Sequence, residues 1–172
     1  MQYLRMALFA AGVVVADQLT KLWVLDNIAL QTRIEAIPGL FHLTYVQNTG
    51  AAFSSFRGMI WLFALIFLVF TALVIWEFSK KRMPFSNFER WCIAAVFGGG
   101  LGNMIDRVRL GFVVDMIEVE FMEFPVFNVA DCFITCGCAV LMVSLVLFNK
   151  QFWKDEKKEA IPEAEVAEED EL

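Results

Sequence analysis

The sequence predicts an all-α integral membrane protein with four transmembrane helices and a small outward-facing β platform. Three observations predict it. Of 172 residues, 59% are hydrophobic and only 20% charged, against roughly 45–50% apolar in a soluble domain. Four largely apolar segments approach the roughly 20 residues needed to span a bilayer. Two longer connections between them alternate apolar and polar residues as strands do.

The first segment is Leu4 to Leu25. It begins like a signal peptide, with Arg5 before an apolar run, but continues through Asp17 and Lys21 into Leu22-Trp23-Val24-Leu25, so it reads as a retained helix. The second, Met59 to Trp76, carries no charge and is about 27 Å long as a helix. The third runs from near Trp91 through Gly98-Gly99-Gly100-Leu101-Gly102 to Ile105, and the fourth from near Asp131 to Phe148. Trp23, Trp61, Trp76 and Trp91 fall at segment ends, as interfacial anchors do.

The basic residues orient the bundle. Nine (Arg5, Lys80, Lys81, Arg82, Arg90 and four tail lysines) lie on one side and five (Lys21, Arg33, Arg57, Arg107, Arg109) on the other. This bias puts both termini in the cytoplasm. The connections 26–58 and 108–127 then face outward. In them Phe41 to Val46 alternate, as do Ile117, Val119 and Phe121 with Glu118 and Glu120. Residues 1–149 form one transmembrane domain. Residues 150–172 form an acidic cytoplasmic tail: its four lysines and nine acids account for −5 of the total charge of −6. Such a run cannot bury apolar area and is expected to be disordered.

Ionisable groups in spanning segments are expensive and mark function by default. Asp17 and Lys21 lie one turn apart, acid first, the favourable order for an ion pair. The plain alternative is a self-neutralising pair near the outer interface. Asn103, Asp106 and Arg107 share a helix end after the glycine run, where Gly98 and Gly102 permit close approach by another helix. Asp131 opens the fourth helix three residues after Asn128, so helix capping competes with chemistry there. Asp115 lies in the outward loop among Val113, Val114, Met116 and Ile117, poor surroundings for a solvated carboxylate. Asp115 and Asp131 thus fall at one level. Two carboxylates in a poorly solvated site cannot both ionise easily and can share a proton, the chemistry of aspartic peptidases.

Other chemistries lack their residues. His42 is the only histidine and reads as a strand residue, so multi-histidine metal sites are absent. There is no Gly-x-Ser-x-Gly elbow, no phosphate-binding Gly-x-x-x-x-Gly-Lys loop, and no basic patch interleaved with aromatics to suggest nucleic acid. Cys92, Cys132, Cys136 and Cys138 sit in apolar segments and read as packing residues. Two rival readings remain: a small transporter or channel with an acidic relay, which would place acids at several depths, and a non-catalytic scaffold, which would tolerate aspartate substitutions.

The motifs go further. Asp17-Gln18-Leu19-Thr20-Lys21, Asn48-Thr49-Gly50-Ala51-Ala52-Phe53-Ser54, Gly99 to Arg107, Val113-Val114-Asp115 and Phe127-Asn128-Val129-Ala130-Asp131 resemble, in order, five motifs of the lipoprotein signal peptidase (signal peptidase II) family. One departure is Met116, where an aromatic often follows in the family. The resemblance implies an endopeptidase of the bacterial inner membrane. Its substrate is a prolipoprotein carrying diacylglyceryl on a cysteine, cut just before that cysteine. It also implies no metal, no cofactor and inhibition by globomycin. By position, Asp115 and Asp131 match the catalytic pair. Asn48, Gly50, Asn103, Arg107 and Asn128 match residues around the bound peptide, and Asp17, Lys21 and Asp106 match supporting positions.

Overall fold

In the computed structural model, which describes residues 1–50, 60–80 and 83–152, four α-helices and three strands alternate along the chain. Helix α1 spans Gln2–Asn27, and strands β1 (Arg33–Ile37) and β2 (Phe41–Asn48) follow. Then come α2 (Ile60–Lys80), α3 (Asn87–Leu110), β3 (Val113–Val119) and α4 (Val129–Val143), the last running into a π-helical turn at Ser144–Phe148. Lys150 to Phe152 are helical; the rest of the acidic tail, Arg57, Lys81 and Arg82 lie outside the described residues.

The burial pattern is that of a chain built for lipid. On α1, Met6, Ala10, Val13, Asp17, Lys21 and Val24 are buried, a stripe at three- and four-residue spacing that faces the bundle. Leu4, Leu8, Val15, Leu19 and Trp23 point outward and are exposed, as are Trp61, Leu65, Leu68 and Leu73 of α2. The apolar surface is outside and the charges are inside, the reverse of a soluble helix.

Among the described residues three helices, not the expected four, are long and apolar enough to cross a membrane: α1, α2 and α4 with its π turn. Helix α3 falls short for a physical reason. It carries Glu89, Arg90, Asp106, Arg107 and Arg109, and its buried face is made of small and polar residues, among them Ala94, Gly98, Gly102, Asn103 and Asp106. It packs on α1, α2 and α4 and so meets protein where the others meet lipid. The glycines permit this: a Cβ on Gly98 would stand 2.8 Å from the Ala10 carbonyl oxygen, and one on Gly99 would stand 2.5 Å from that of Ala130. The approach expected at Gly98 and Gly102 is made by α1 at both positions.

The helix ends follow from local sequence. Ser86 and Glu89 form a reciprocal capping box at the start of α3, and Asn128 with Asp131 forms another at the start of α4. Helix α4 therefore begins at Val129, two residues before the sequence expectation. Helix α3 ends at Gly111, whose φ of 82° is left-handed and suits glycine.

The platform is a three-stranded antiparallel sheet in the order β1-β2-β3. Strand β2 lies across the alternating segment identified above and includes His42. Asp115 is in strand β3, not in a loop, because Val113–Val119 pairs with β2 in the register Asn48↔Val113 and Val46↔Asp115. A bulge between Leu43 and Val46 interrupts that register and turns the chain at the site-bearing end. Val24 of α1 and Ile28, which caps its C-terminus, pack with Tyr45, Val114 and Met116, seating the sheet on the end of the bundle.

Candidate active site

Each acid of the candidate pair is held by two donors. Asp115 Oδ2 accepts from Asn48 Nδ2 at 2.8 Å and Oδ1 from Asn128 Nδ2 at 2.6 Å. Asp131 Oδ1 accepts from Asn103 Nδ2 at 2.7 Å, and its Oδ2 from the Asn128 backbone N–H at 3.2 Å. Asn128 thus touches both carboxylates, through its side-chain amide and its backbone. Asp115 lies on β3, Asp131 on α4, Asn48 at the end of β2 and Asn103 on α3. Four elements and a helix cap therefore converge on one pair of acids.

The orientation of every amide is set by a second contact. Asn48 Oδ1 accepts from the Gly50 N–H, so Nδ2 faces Asp115. Asn128 Oδ1 accepts from the Asp131 N–H as the helix cap, so Nδ2 faces Asp115 and also reaches Asn103 Oδ1 at 3.1 Å. Asn103 Oδ1 accepts from Lys21 Nζ at 2.8 Å. An ammonium has no acceptor, so this contact leaves only Nδ2 for Asp131.

Behind this layer is a second, fully buried one. Lys21 Nζ is 2.9 Å from Asp17 Oδ2 and 3.1 Å from Asp106 Oδ2, and all three side chains are at most 3% exposed. The pair expected on one face of α1 is therefore part of a three-charge cluster joining α1 to α3. Its remaining lone pairs are used. Asp17 Oδ1 accepts from the Ala130 N–H at 3.0 Å, Asp106 Oδ2 from the Val114 N–H at 3.0 Å, and Asp106 Oδ1 from Gln18 Nε2 at 2.9 Å. Buried charges are tolerable only with such complete pairing. The cluster fastens the residues beside both acids, Val114 before Asp115 and Ala130 before Asp131.

Arg107 completes the rim. Its guanidinium donates to the Gly50 carbonyl at 3.2 Å and to the Asn103 carbonyl at 3.2 Å. It lies over the Phe63 ring of α2, 4.3 Å from the centroid. Next to it a cavity of about 300 Å³ opens between α2, α3 and α4. Phe63, Phe67 and Phe70 form one wall, and Asn103 and Arg107 stand at its polar end.

Burial, and secondarily the negative charge of Asp131, pushes the Asp115 carboxyl up to about 7 from 3.8, against the two amide hydrogen bonds that favour its ionised form. Asp115 therefore holds a proton at pH values where an ordinary aspartate does not. A neutral acid facing a second carboxylate can donate one proton and receive another in the same place.

All ten site residues expected from the sequence, Asp17, Lys21, Asn48, Gly50, Asn103, Asp106, Arg107, Asp115, Asn128 and Asp131, are connected by this network. Sequence reasoning missed Gln18 as a member. The signal was available: an amide in the middle of an apolar helix is as anomalous as the neighbouring Asp17 and Lys21. Phe63 carried no such signal, because a phenylalanine in a lipid-facing helix is ordinary. Ala51 to Ser54 of the second motif lie outside the described residues. The four cysteines are free thiols, and none of their side chains is among the hydrogen bonds of this network.

Known proteins resemble the chain along most of its length. The family model described as signal peptidase (SPase) II matches residues 9–147. The lipoprotein signal peptidase of Streptococcus agalactiae serotype Ia is 42% identical over 140 residues, covering 81% of this chain and 86% of that one. That of Lactococcus lactis subsp. cremoris is 41% identical over 136 residues, covering 77% and 87%. Two solved structures, both described as bacterial membrane enzymes studied by the in meso method, align at 32% identity with TM-scores of 0.77 and 0.75. They cover 84% of this chain and 88% and 94% of their own.

Proposed function

The chain belongs to the signal peptidase II family, whose peptidases remove signal peptides from lipoproteins, and on that premise we propose an aspartic mechanism with Asp115 and Asp131 as the catalytic pair. The observation that carries this reading is the shared contact of Asn128 with both carboxylates, which keeps two acids in one buried, donor-rich site.

In this mechanism Asp115 enters protonated and Asp131 ionised. Asp131 draws a proton from a water molecule as its oxygen attacks the scissile carbonyl carbon, and the Asp115 proton passes to the carbonyl oxygen. A neutral tetrahedral diol results. Its collapse breaks the C–N bond, with the Asp131 proton going to the leaving nitrogen and a hydroxyl proton returning to Asp115. The pair ends in its starting state.

The substrate we propose is a prolipoprotein already carrying diacylglyceryl on its cysteine, cut just before that residue. The site's position supports it. The dyad lies where the apolar bundle meets the β platform, so acyl chains can stay in lipid while the peptide meets water. The platform offers strand edges for an extended peptide. Helix α3 crosses the membrane with the other three, shielded by them. Both termini face the cytoplasm of a bacterial inner membrane, and a globomycin-type cyclic peptide competes at the site. An ion relay would need acids in series through the bundle. Here Asp17, Asp106, Asp115 and Asp131 belong to one hydrogen-bonded network.

The test is turnover of a diacylglyceryl-modified prolipoprotein by purified enzyme. Asp115→Asn and Asp131→Asn should each abolish cleavage while still inserting and folding; normal cleavage by either refutes the assignment.

A further inference from the structure

Helix α2 is the outlier of the bundle. Its main helix contact is with α3, and most of its surface faces outward. Yet Phe63 of α2 lies beneath the Arg107 guanidinium, and the chain of contacts from that ring ends at a catalytic acid. Arg107 holds the Gly50 carbonyl, the Gly50 N–H is held by Asn48 Oδ1, and Asn48 Nδ2 holds Asp115. The same ring lines the apolar cavity between α2, α3 and α4.

We propose that Phe63 is a positioning residue whose ring keeps Arg107 on the Gly50 carbonyl, coupling an apolar chain of the substrate lodged in the adjacent cavity to the placement of Asp115. The inference rests on the reading of Asp115 as catalytic. Its physical basis is the attraction of a guanidinium to an aromatic face, which strengthens where water is scarce. Arg107 is partly buried against that ring, and among the described residues its guanidinium donates to two backbone carbonyls, those of Asn103 and Gly50. The ring therefore restrains where the guanidinium lies, beside the two carbonyls and the attraction of Asp131 and Asp115. A substrate chain that pushes on Phe63 moves Arg107, and a chain that packs along it holds Arg107 still. The cavity is amphiphilic in the required sense, apolar along its phenylalanine wall and polar only at the Asn103 and Arg107 end.

The experiment compares Phe63→Leu, Phe63→Tyr and Phe70→Leu. Phe70 lines the same cavity and has its ring contact with Phe97, so its replacement changes the cavity wall and leaves the ring beneath Arg107 in place. Phe63→Leu should lower kcat by about threefold to thirtyfold, the range expected for one such contact, with a smaller change in KM. Phe63→Tyr should restore the rate, and Phe70→Leu should act chiefly on KM. A second readout needs no turnover: phenylglyoxal labelling of Arg107, mapped by peptide mass spectrometry, should quicken several-fold in Phe63→Leu and stay at the wild-type rate in Phe63→Tyr. Equal kcat effects of Phe63→Leu and Phe70→Leu, or unchanged labelling of Arg107, would overturn the inference. Failure of the catalytic reading is seen separately, as activity retained by Asp115→Asn.

Discussion

Lys21 Nζ lies 2.8 Å from Asn103 Oδ1, and because an ammonium can only donate, that contact turns the Asn103 amide so that its NH₂ faces Asp131. A residue on the first helix thereby decides what the fourth helix's carboxylate meets. Among the described residues Lys21 is the one cation paired with Asp17 and Asp106, so Lys21→Met leaves two buried acids without a counter-charge. Loss of one partner from a buried cluster costs about 3–5 kcal/mol. The thermal midpoint in detergent should fall sharply at neutral pH, and the residual folded enzyme should be slow because Asn103 Oδ1 keeps only the longer of its two donor contacts, that from Asn128. An unchanged midpoint would contradict the cluster's role.

Asp115→Asn and Asp131→Asn should lower kcat by roughly a hundredfold to ten-thousandfold, the contribution of a positioned acid or base. Each keeps side-chain shape and inserts normally. Asp131→Asn retains an oxygen for the Asn128 N–H, so its loss of activity should come with a small change in stability. Single-turnover cleavage with each variant, beside its melting curve, separates the two effects.

With Asp115 titrating at about 7, log kcat/KM should fall by about one per pH unit above that value, as the acid loses its proton. Asn48 donates to the ionised form, so Asn48→Ala should move this alkaline limb to higher pH. The stability contribution has the matching sign. A carboxyl whose folded pKa lies above its ordinary 3.8 stabilises the native state fully below that ordinary value, and the benefit is lost as pH rises through about 7. Asp115→Asn should therefore flatten the melting temperature between those two pH values. A limb that does not move in Asn48→Ala would argue that another group sets it.

Glycine contacts separate tight packing from open surface. A Cβ at Gly102 would stand 2.5 Å from Asp17 Oδ2, whereas one at Gly12 meets nothing within 4 Å. Gly102→Ala should destabilise by about 1–3 kcal/mol through overpacking and reduce turnover, because Asp17 holds the Ala130 N–H beside Asp131. Gly12→Ala should be neutral or stabilising by up to about 1 kcal/mol. Paired melting curves check both, and equal effects would refute the close approach.

Much of this was readable from residue types that the membrane penalises. Asp17, Lys21, Asn103, Asp106, Asn128 and Asp131 are conspicuous in or beside apolar segments, and all of them join the site network. What escaped was structure whose signal comes from partners. Strand β1 is exposed at all five positions, so no apolar alternation betrays it; its pairing with β2 and the ion pair of Arg33 with Glu118 hold it. Asp115 was visible as an anomaly but not as a strand residue, because β3 is buried on both faces from Val113 to Met116 and alternation vanishes there. Helix α3 shows in the sequence as a fourth apolar segment, but its glycines and charges do not reveal that it packs on α1, α2 and α4. The polar lock at the opposite end, where Glu89 accepts from Ser144 Oγ and Asn149 Nδ2, was not anticipated, since its members are far apart in sequence. Among the described residues it ties α3 to the π-helical turn.

The capping box at Asn128 and Asp131 gives the last consequence. Of the two side chains that start α4, Asp131 belongs to the candidate dyad and Asn128 holds its partner Asp115, so a substitution that removes either capping oxygen damages folding and chemistry together. An inhibitor that grips Asn128 and Asp131 would rest on positions whose loss also unmakes the start of α4. Escape would have to come from the rim, at residues such as Phe63 that line the cavity without starting a helix, or from making more of the enzyme.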